Sequence, residues 1–163
     1  MNRSITRRIV PLAIGLASLA GVAGVGPSPA NAADSGLKTR AIQYENASMS
    51  DFQAVKRAGP PPFDWRDDGC SVPKSINVVI DNDYLKIFKK ACQRHDFGYR
   101  NFGKGLRLDR TESRREWVDK KFKADMDGIC DAREASDGID ACEFWAEAFF
   151  QAVRHQGRDA FFG

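Results

Sequence analysis

Four cysteines, Cys70, Cys92, Cys130 and Cys142, constrain this 163-residue chain more than any other feature, because all of them follow a segment built for export. Arg3, Arg7 and Arg8 precede an apolar run from Ile9 to Val25, and Ala30, Asn31 and Ala32 then supply a small-residue cleavage pattern. Pro11 and several glycines interrupt the run, which argues against a retained membrane span. Residues 1–32 are therefore expected to be a secretory signal peptide cut after Ala32, leaving a secreted, extracellular protein without a transmembrane span. In an oxidising destination an even number of cysteines reads as two disulfides, for which three pairings exist. A zinc site is the weaker rival, since no two of the cysteines have Cys-x-x-Cys spacing.

The three leader arginines, with no acid among them, account for the formal net charge of +3, so the remaining chain is close to neutral. A nucleic-acid partner would have no electrostatic footprint here, and any membrane contact must rest on apolar or local charged groups. Roughly 130 residues remain, enough for one domain with a modest core. From Ala33 to Pro62 apolar residues are sparse and lack a sustained period, and the stretch closes on Gly59, Pro60, Pro61 and Pro62. Residues 33–62 thus read as an irregular N-terminal arm or propeptide, with room for a short helix around Asp51 to Arg57 and a candidate cleavage region at Lys38 to Arg40. Residues 63–163 would form the domain proper.

Three helices can be read in that domain. The first is expected from about Tyr84 to Asn101, after the capping candidates Asp81, Asn82 and Asp83, with Leu85, Phe88, Cys92, His95, Tyr99 and Phe102 in its apolar stripe. A second should start near Asp109, where Asp109 and Glu112 have capping-box spacing, and reach about Asp131, with Val118, Phe122, Met126 and Ile129 facing the core. The third spans about Ile139 to Gln156, with Cys142, Trp145, Phe149 and Val153 at helical spacing. The connection after Phe102 is short enough to fold the first two helices antiparallel. On this map Cys130 closes one helix and Cys142 opens the next, so the pairing Cys70 to Cys92 and Cys130 to Cys142 is favoured. The fold class that results is all-α, a small disulfide-stapled helical bundle with two long antiparallel helices.

The chemistry concentrates between Cys92 and Asn101. His95, one of two histidines, lies in the buried stripe, while Asp96 sits about 100° round the helix, toward the loop that Cys92 would tether. Asp119, beside Val118 and three residues before Phe122, also lies toward the core, and antiparallel packing brings it toward His95. A buried carboxylate and a buried imidazole each need a partner. Four other features read more plainly: His155 as structural or exposed, Tyr99 and Phe102 as core before acyl-chain pocket lining, and the acids Asp125, Asp127, Asp131, Asp137 and Asp140, which lack the EF-hand pattern, as helix ends, caps and solvated surface.

The run Cys92, Gln93, Arg94, His95, Asp96, Phe97, Gly98, Tyr99, Arg100, Asn101, followed by Val118, Asp119, Phe122 to Met126 and Cys130, resembles the secreted phospholipases A2 of the bacterial and fungal type. The resemblance covers roughly Phe63 to Val153. It implies that His95 is the general base, that Asp119 orients it, and that calcium is held by Asp96 with Asp68 and the Gly69 carbonyl of the preceding loop. The glycine-rich calcium loop of the animal enzymes is absent, so Asp67 or Asp64 could stand in place of Asp68. The implied activity is calcium-dependent release of the sn-2 fatty acid from glycerophospholipids at a membrane or micelle interface, by a monomer. A binding or toxin-like module on the same scaffold is the competing class, but a pure binder has no need of a buried His and Asp pair. A metal-dependent nuclease is disfavoured by the near-neutral charge and the lack of clustered histidines.

Overall fold

The computed structural model describes residues 29–71, 82–133 and 139–163. Most of the expected leader, together with Asp81 and Asp137, lies outside the described residues. The described chain forms helices α1 (Pro29–Asn46), α2 (Met49–Ala58), α3 (Asn82–Ile87), α4 (Lys89–Phe102), α5 (Glu112–Asp131), α6 (Ile139–Gln156) and α7 (Arg158–Phe162), with no strand among the described residues. Among those residues no helix is long and apolar enough to cross a membrane.

The expected first helix is divided at Phe88. That residue has φ −84° and ψ 2°, yet its N–H still reaches the Tyr84 carbonyl and its carbonyl accepts from Cys92, so the axis loosens there without turning back. The Phe88 side chain is wholly buried and packs edge-on against Phe149 of α6. The cap of α5 also differs from expectation. Thr111, with extended φ and ψ, accepts from the Arg114 N–H through its hydroxyl, whereas the Asp109 carboxylate is drawn into ion pairs with Lys38 and Arg114, each at 2.9 Å.

The segment 33–62 is not the irregular arm expected. It forms α1 and α2, because the few apolar residues it has recur at helical spacing and find a surface to cover. Ala41 and Phe52 are fully buried and join Phe97, Phe102, Val118 and Phe161 in one core cluster. Ser48 caps α2 by accepting from the Asp51 N–H, and Gly59, at φ 56°, ends it in the left-handed conformation that glycine adopts without penalty. Buried Arg94 of α4 fastens this layer by donating to the carbonyls of Glu45 and Ala47 at 2.9 Å.

A second core cluster surrounds the disulfides, with Phe88, Cys92, Phe122, Met126, Cys130, Cys142 and Phe149 at its centre. Cys70–Cys92 ties the loop after α2 to α4, and Cys130–Cys142 joins the end of α5 to the start of α6. Helices α4 and α5 run antiparallel, since Arg114 lies over the Phe102 ring while Arg94 reaches Asp125. Their closest approach is at Gly98, where an added Cβ would lie 2.6 Å from Val118. Asp125 is thus not solvated surface. It is nearly buried, paired with Arg94 at 3.4 Å and with Lys121.

Candidate active site

His95 stands where the two core clusters meet, its ring centroid 4.1 Å from that of Tyr99 and 4.7 Å from that of Phe122. Helical spacing supplies the first contact, because Tyr99 is four residues further along α4, and the α4–α5 pairing supplies the second. The imidazole is buried and its Nε2 lies 2.8 Å from an oxygen of Asp119.

Asp119 is fully buried and its carboxylate gathers four donors. One oxygen meets His95 Nε2 and the Tyr99 hydroxyl, both at 2.8 Å. The other meets Arg154 at 2.7 Å and Arg115 at 3.2 Å. Burial pushes this carboxyl upward, but His95, Arg154 and Tyr99 outweigh it and hold it below its usual range. An ionised carboxylate only accepts, so Nε2 carries the proton and donates it to Asp119. Nδ1 is then the ring nitrogen with a free lone pair. The Tyr99 hydroxyl is held strongly in its neutral form by burial and by the Asp119 charge, so it too can only donate to that oxygen.

Arg115 and Arg154 did not emerge from sequence reasoning. Arg115 stands one turn before Asp119 on α5, a spacing that carried the signal. Arg154 comes from the far end of α6 and reaches Asp119 only through packing. Arg115 secures that packing, since it also donates to the carbonyls of Val153 and Arg154 and to Glu112. Tyr99, expected in the core with a pocket-lining role left open, lines the cavity and also bonds Asp119, a contact the sequence reading did not include.

That cavity, about 330 Å³, is lined by His95, Asp68, Asp96 and Tyr99 on its polar side and by Phe122, Phe149, Ala152 and Val153 on its apolar side. Residue His155 is exposed and takes no part. Asp96 points away from the His95–Asp119 pair, as its position on α4 required, and accepts from the Asp68 N–H at 3.0 Å. The disulfide from Cys70 to Cys92 holds this loop one turn from His95. Among the three loop acids, Asp64 is engaged by Arg66 at 2.6 Å and Asp67 by Lys56 at 2.7 Å. Only Asp68 of the three lines the cavity with His95 and Asp96, and its carboxylate is more than half exposed.

Burial and then the Asp68 charge push the Asp96 carboxyl up to about 7. Two carboxylates brought together, with Arg100 at 3.4 Å from Asp68, are a donor set short of positive charge. Gly69, at φ 72°, turns the chain here, and its carbonyl accepts from the Ser71 N–H at 3.0 Å, which leaves one lone pair. Among the described residues no group of three or more His, Cys, Asp or Glu side chains converges on a point. The oxygens present therefore fit a hard cation that completes its shell with carbonyls and water, as calcium does, and do not fit zinc.

An imidazole with one nitrogen fixed by a carboxylate and the other free, beside an apolar cavity, has the chemistry of a general base acting on an apolar substrate. Comparison with known proteins specifies it further. Residues 39–157 match the family described as prokaryotic phospholipase A2, and the chain belongs to that family. It is 37% identical over 153 residues to a secretory phospholipase A2 of Arthroderma benhamiae, covering 91% of this chain and 94% of that one. A secretory phospholipase A2 of Beauveria bassiana is 32% identical over 102 residues, covering 63% of this chain and 48% of its own length. The protein is thus a phospholipase A2, a hydrolase of phospholipid esters, and the match begins at residue 39, within α1.

Proposed function

We propose that this protein is a secreted, monomeric, calcium-dependent phospholipase A2 that hydrolyses the sn-2 ester of glycerophospholipids to a fatty acid and a lysophospholipid. The observation that carries the reading is the 2.8 Å contact between His95 Nε2 and the buried Asp119 carboxylate at the wall of an apolar cavity. His95 Nδ1 takes a proton from water as that water attacks the sn-2 carbonyl, and returns it to the departing glycerol oxygen. Asp119 keeps the ring in the productive tautomer and stabilises the imidazolium that forms, with Tyr99, Arg115 and Arg154 holding the carboxylate in place. The apolar wall of Phe122, Phe149, Ala152 and Val153 takes the acyl chain out of water. Asp68, Asp96 and the Gly69 carbonyl would hold calcium, which when bound supplies positive charge for the substrate oxyanion.

The test is fatty-acid release from phospholipid vesicles in calcium and in strong chelator, by wild type and His95→Ala. Hydrolysis should require calcium, and His95→Ala should abolish it while calcium binding, read by calorimetry, stays close to wild type. Full activity in chelator would remove the metal from the scheme, and an active His95→Ala enzyme would remove the base.

A further inference from the structure

A second cavity, of about 430 Å³, shares Asp68, Asp96 and Tyr99 with the first and is edged by Arg66, Arg100 and Lys104. We propose that Arg100 and Lys104 form the subsite that grips the phosphate of the substrate, an inference that rests on the reading of a phospholipase A2 with a cation held at Asp68 and Asp96. Three acids and three bases edge this cavity, so it looks electrically balanced. Their pairing is unequal. Arg66 is spent on Asp64, with two short hydrogen bonds of 2.9 and 2.6 Å to the two carboxylate oxygens. Among the described residues Arg100 makes only the long 3.4 Å contact to Asp68, and its Nε is a buried donor without a hydrogen-bond partner there. Lys104, exposed, stands four residues beyond Arg100, where the chain folds back tightly after α4. Gly105 permits that turn, since a Cβ there would collide with the Arg100 carbonyl.

A divalent cation held by Asp68 and Asp96 would offset the two carboxylates nearest Arg100, while Asp64, the third acid that acts on it, is already engaged by Arg66. Arg100 and Lys104 are then left as two uncompensated cations at the rim of the same site, with a planar guanidinium whose donors are mostly unspent. A tetrahedral phosphate suits this arrangement. Its oxygens accept from the guanidinium fork and the ammonium on one side, and its remaining charge faces the cation on the other. The ester carbonyl next to His95 and the phosphate beside Arg100 would then lie in two adjoining cavities that share Asp68 and Asp96. The chemistry recognised is the phosphate itself, which a lipid or free inorganic phosphate could supply.

Wild type, Arg100→Ala, Arg100→Lys and Lys104→Ala are compared on a dihexanoyl phosphatidylcholine kept as monomers, so that adsorption to a surface contributes nothing. Binding of its non-hydrolysable ether analogue is measured by calorimetry in saturating calcium, and calcium binding is measured separately. Each alanine variant should raise KM and the analogue Kd together, by roughly ten- to a hundredfold for a charge-assisted hydrogen bond, with kcat little changed. Arg100→Lys should recover part of the loss, and Arg100→Ala should bind calcium as tightly as wild type or more tightly, because a neighbouring positive charge is gone. Should Arg100→Ala fail to fold, the exposed Lys104→Ala carries the same comparison. Unchanged KM and analogue Kd in the alanine variants overturn the subsite while hydrolysis persists, and so does inhibition by inorganic phosphate that the variants lose without any change in lipid KM. A wild type that does not hydrolyse the lipid in calcium overturns the underlying reading instead.

Discussion

Replacing the Asp119 carboxylate with an amide should move a proton on a different residue. The native carboxylate accepts from His95, Tyr99, Arg154 and Arg115 and donates to none of them. An asparagine brings one accepting oxygen and two donors into the same space. If its oxygen faces the arginines, its NH2 group meets His95 Nε2, which must then become an acceptor while the ring proton shifts to Nδ1. If it faces the other way, its amide hydrogens oppose two guanidiniums with no acceptor between them, which adds unpaired buried donors to the loss of the charge pair that either orientation entails. The first orientation is therefore the cheaper, and it places the proton on the nitrogen that has to receive one. Turnover of Asp119→Asn should fall by about 10⁴, the loss seen when the same exchange imposes the wrong histidine tautomer in a serine-protease triad. Folding should weaken by about 3–5 kcal/mol, because the exchange breaks the buried charge pair with Arg115 and Arg154 in either orientation. The assays are hydrolysis of a monomeric short-chain phospholipid, ¹⁵N spectra of the imidazole and urea denaturation. A variant that keeps more than about a tenth of wild-type kcat, or a ring still protonated at Nε2, would refute the reasoning.

Acid should weaken calcium binding, because below about 7 the Asp96 carboxyl, raised by burial and by Asp68, holds a proton that the cation must displace. Calorimetry across pH 6 to 8 (about one unit on either side of that value) should show affinity falling by up to roughly tenfold per unit on the acid side, and a flat profile would contradict the pairing of the two acids. Burial also drives the Glu45 carboxyl well above its usual range, against the pull of Arg94, and neither oxygen has a hydrogen-bond partner. A folded-state value above the unfolded one means that the stability associated with protonation is present in acid and lost as pH rises, so Glu45→Met should gain stability over wild type at alkaline pH and much less in acid. Equal gains at both pH values in urea titrations would show that the carboxyl is not protonated in the fold. Gly98→Ala should destabilise the protein, since its Cβ would fall 2.6 Å from Val118 and 2.7 Å from Glu45. Overpacking of about 1–3 kcal/mol exceeds the gain of about 1 kcal/mol from helix propensity, and a more stable variant would deny the close approach of α4 and α5.

Much of the helical layout was legible because it depends on local pattern. The bounds of α6, Ile139 to Gln156, follow from the spacing of Cys142, Trp145, Phe149 and Val153. The disulfide pairing follows from cysteines that end one helix and begin another, and the structure forms it. Periodicity also put His95 and Asp119 toward the core, and the short α4–α5 connection made their meeting foreseeable. Local pattern was a poor guide where the driving force comes from elsewhere. The apolar residues of 33–58 are too few to signal helices by themselves, and α1 and α2 gain their stability from a surface on α4 that no local window contains.

The sequence by itself determined the elements and the chemistry available to them: the helical periods, the crosslinks, a histidine and a carboxylate on two facing stripes, and acids on a tethered loop. Tertiary structure alone decided the electrostatic surroundings of those groups. Arg154 lies 35 residues from Asp119 along the chain and 2.7 Å from it in space. Asp125 reads as a wet helical acid and is buried against Arg94, and of three adjacent loop acids packing leaves only Asp68 facing the cavity. The physical reason is that hydrophobic periodicity is set within a turn or two of helix, whereas the charge, burial and hydrogen bonding of a polar group depend on atoms that distant segments bring to it.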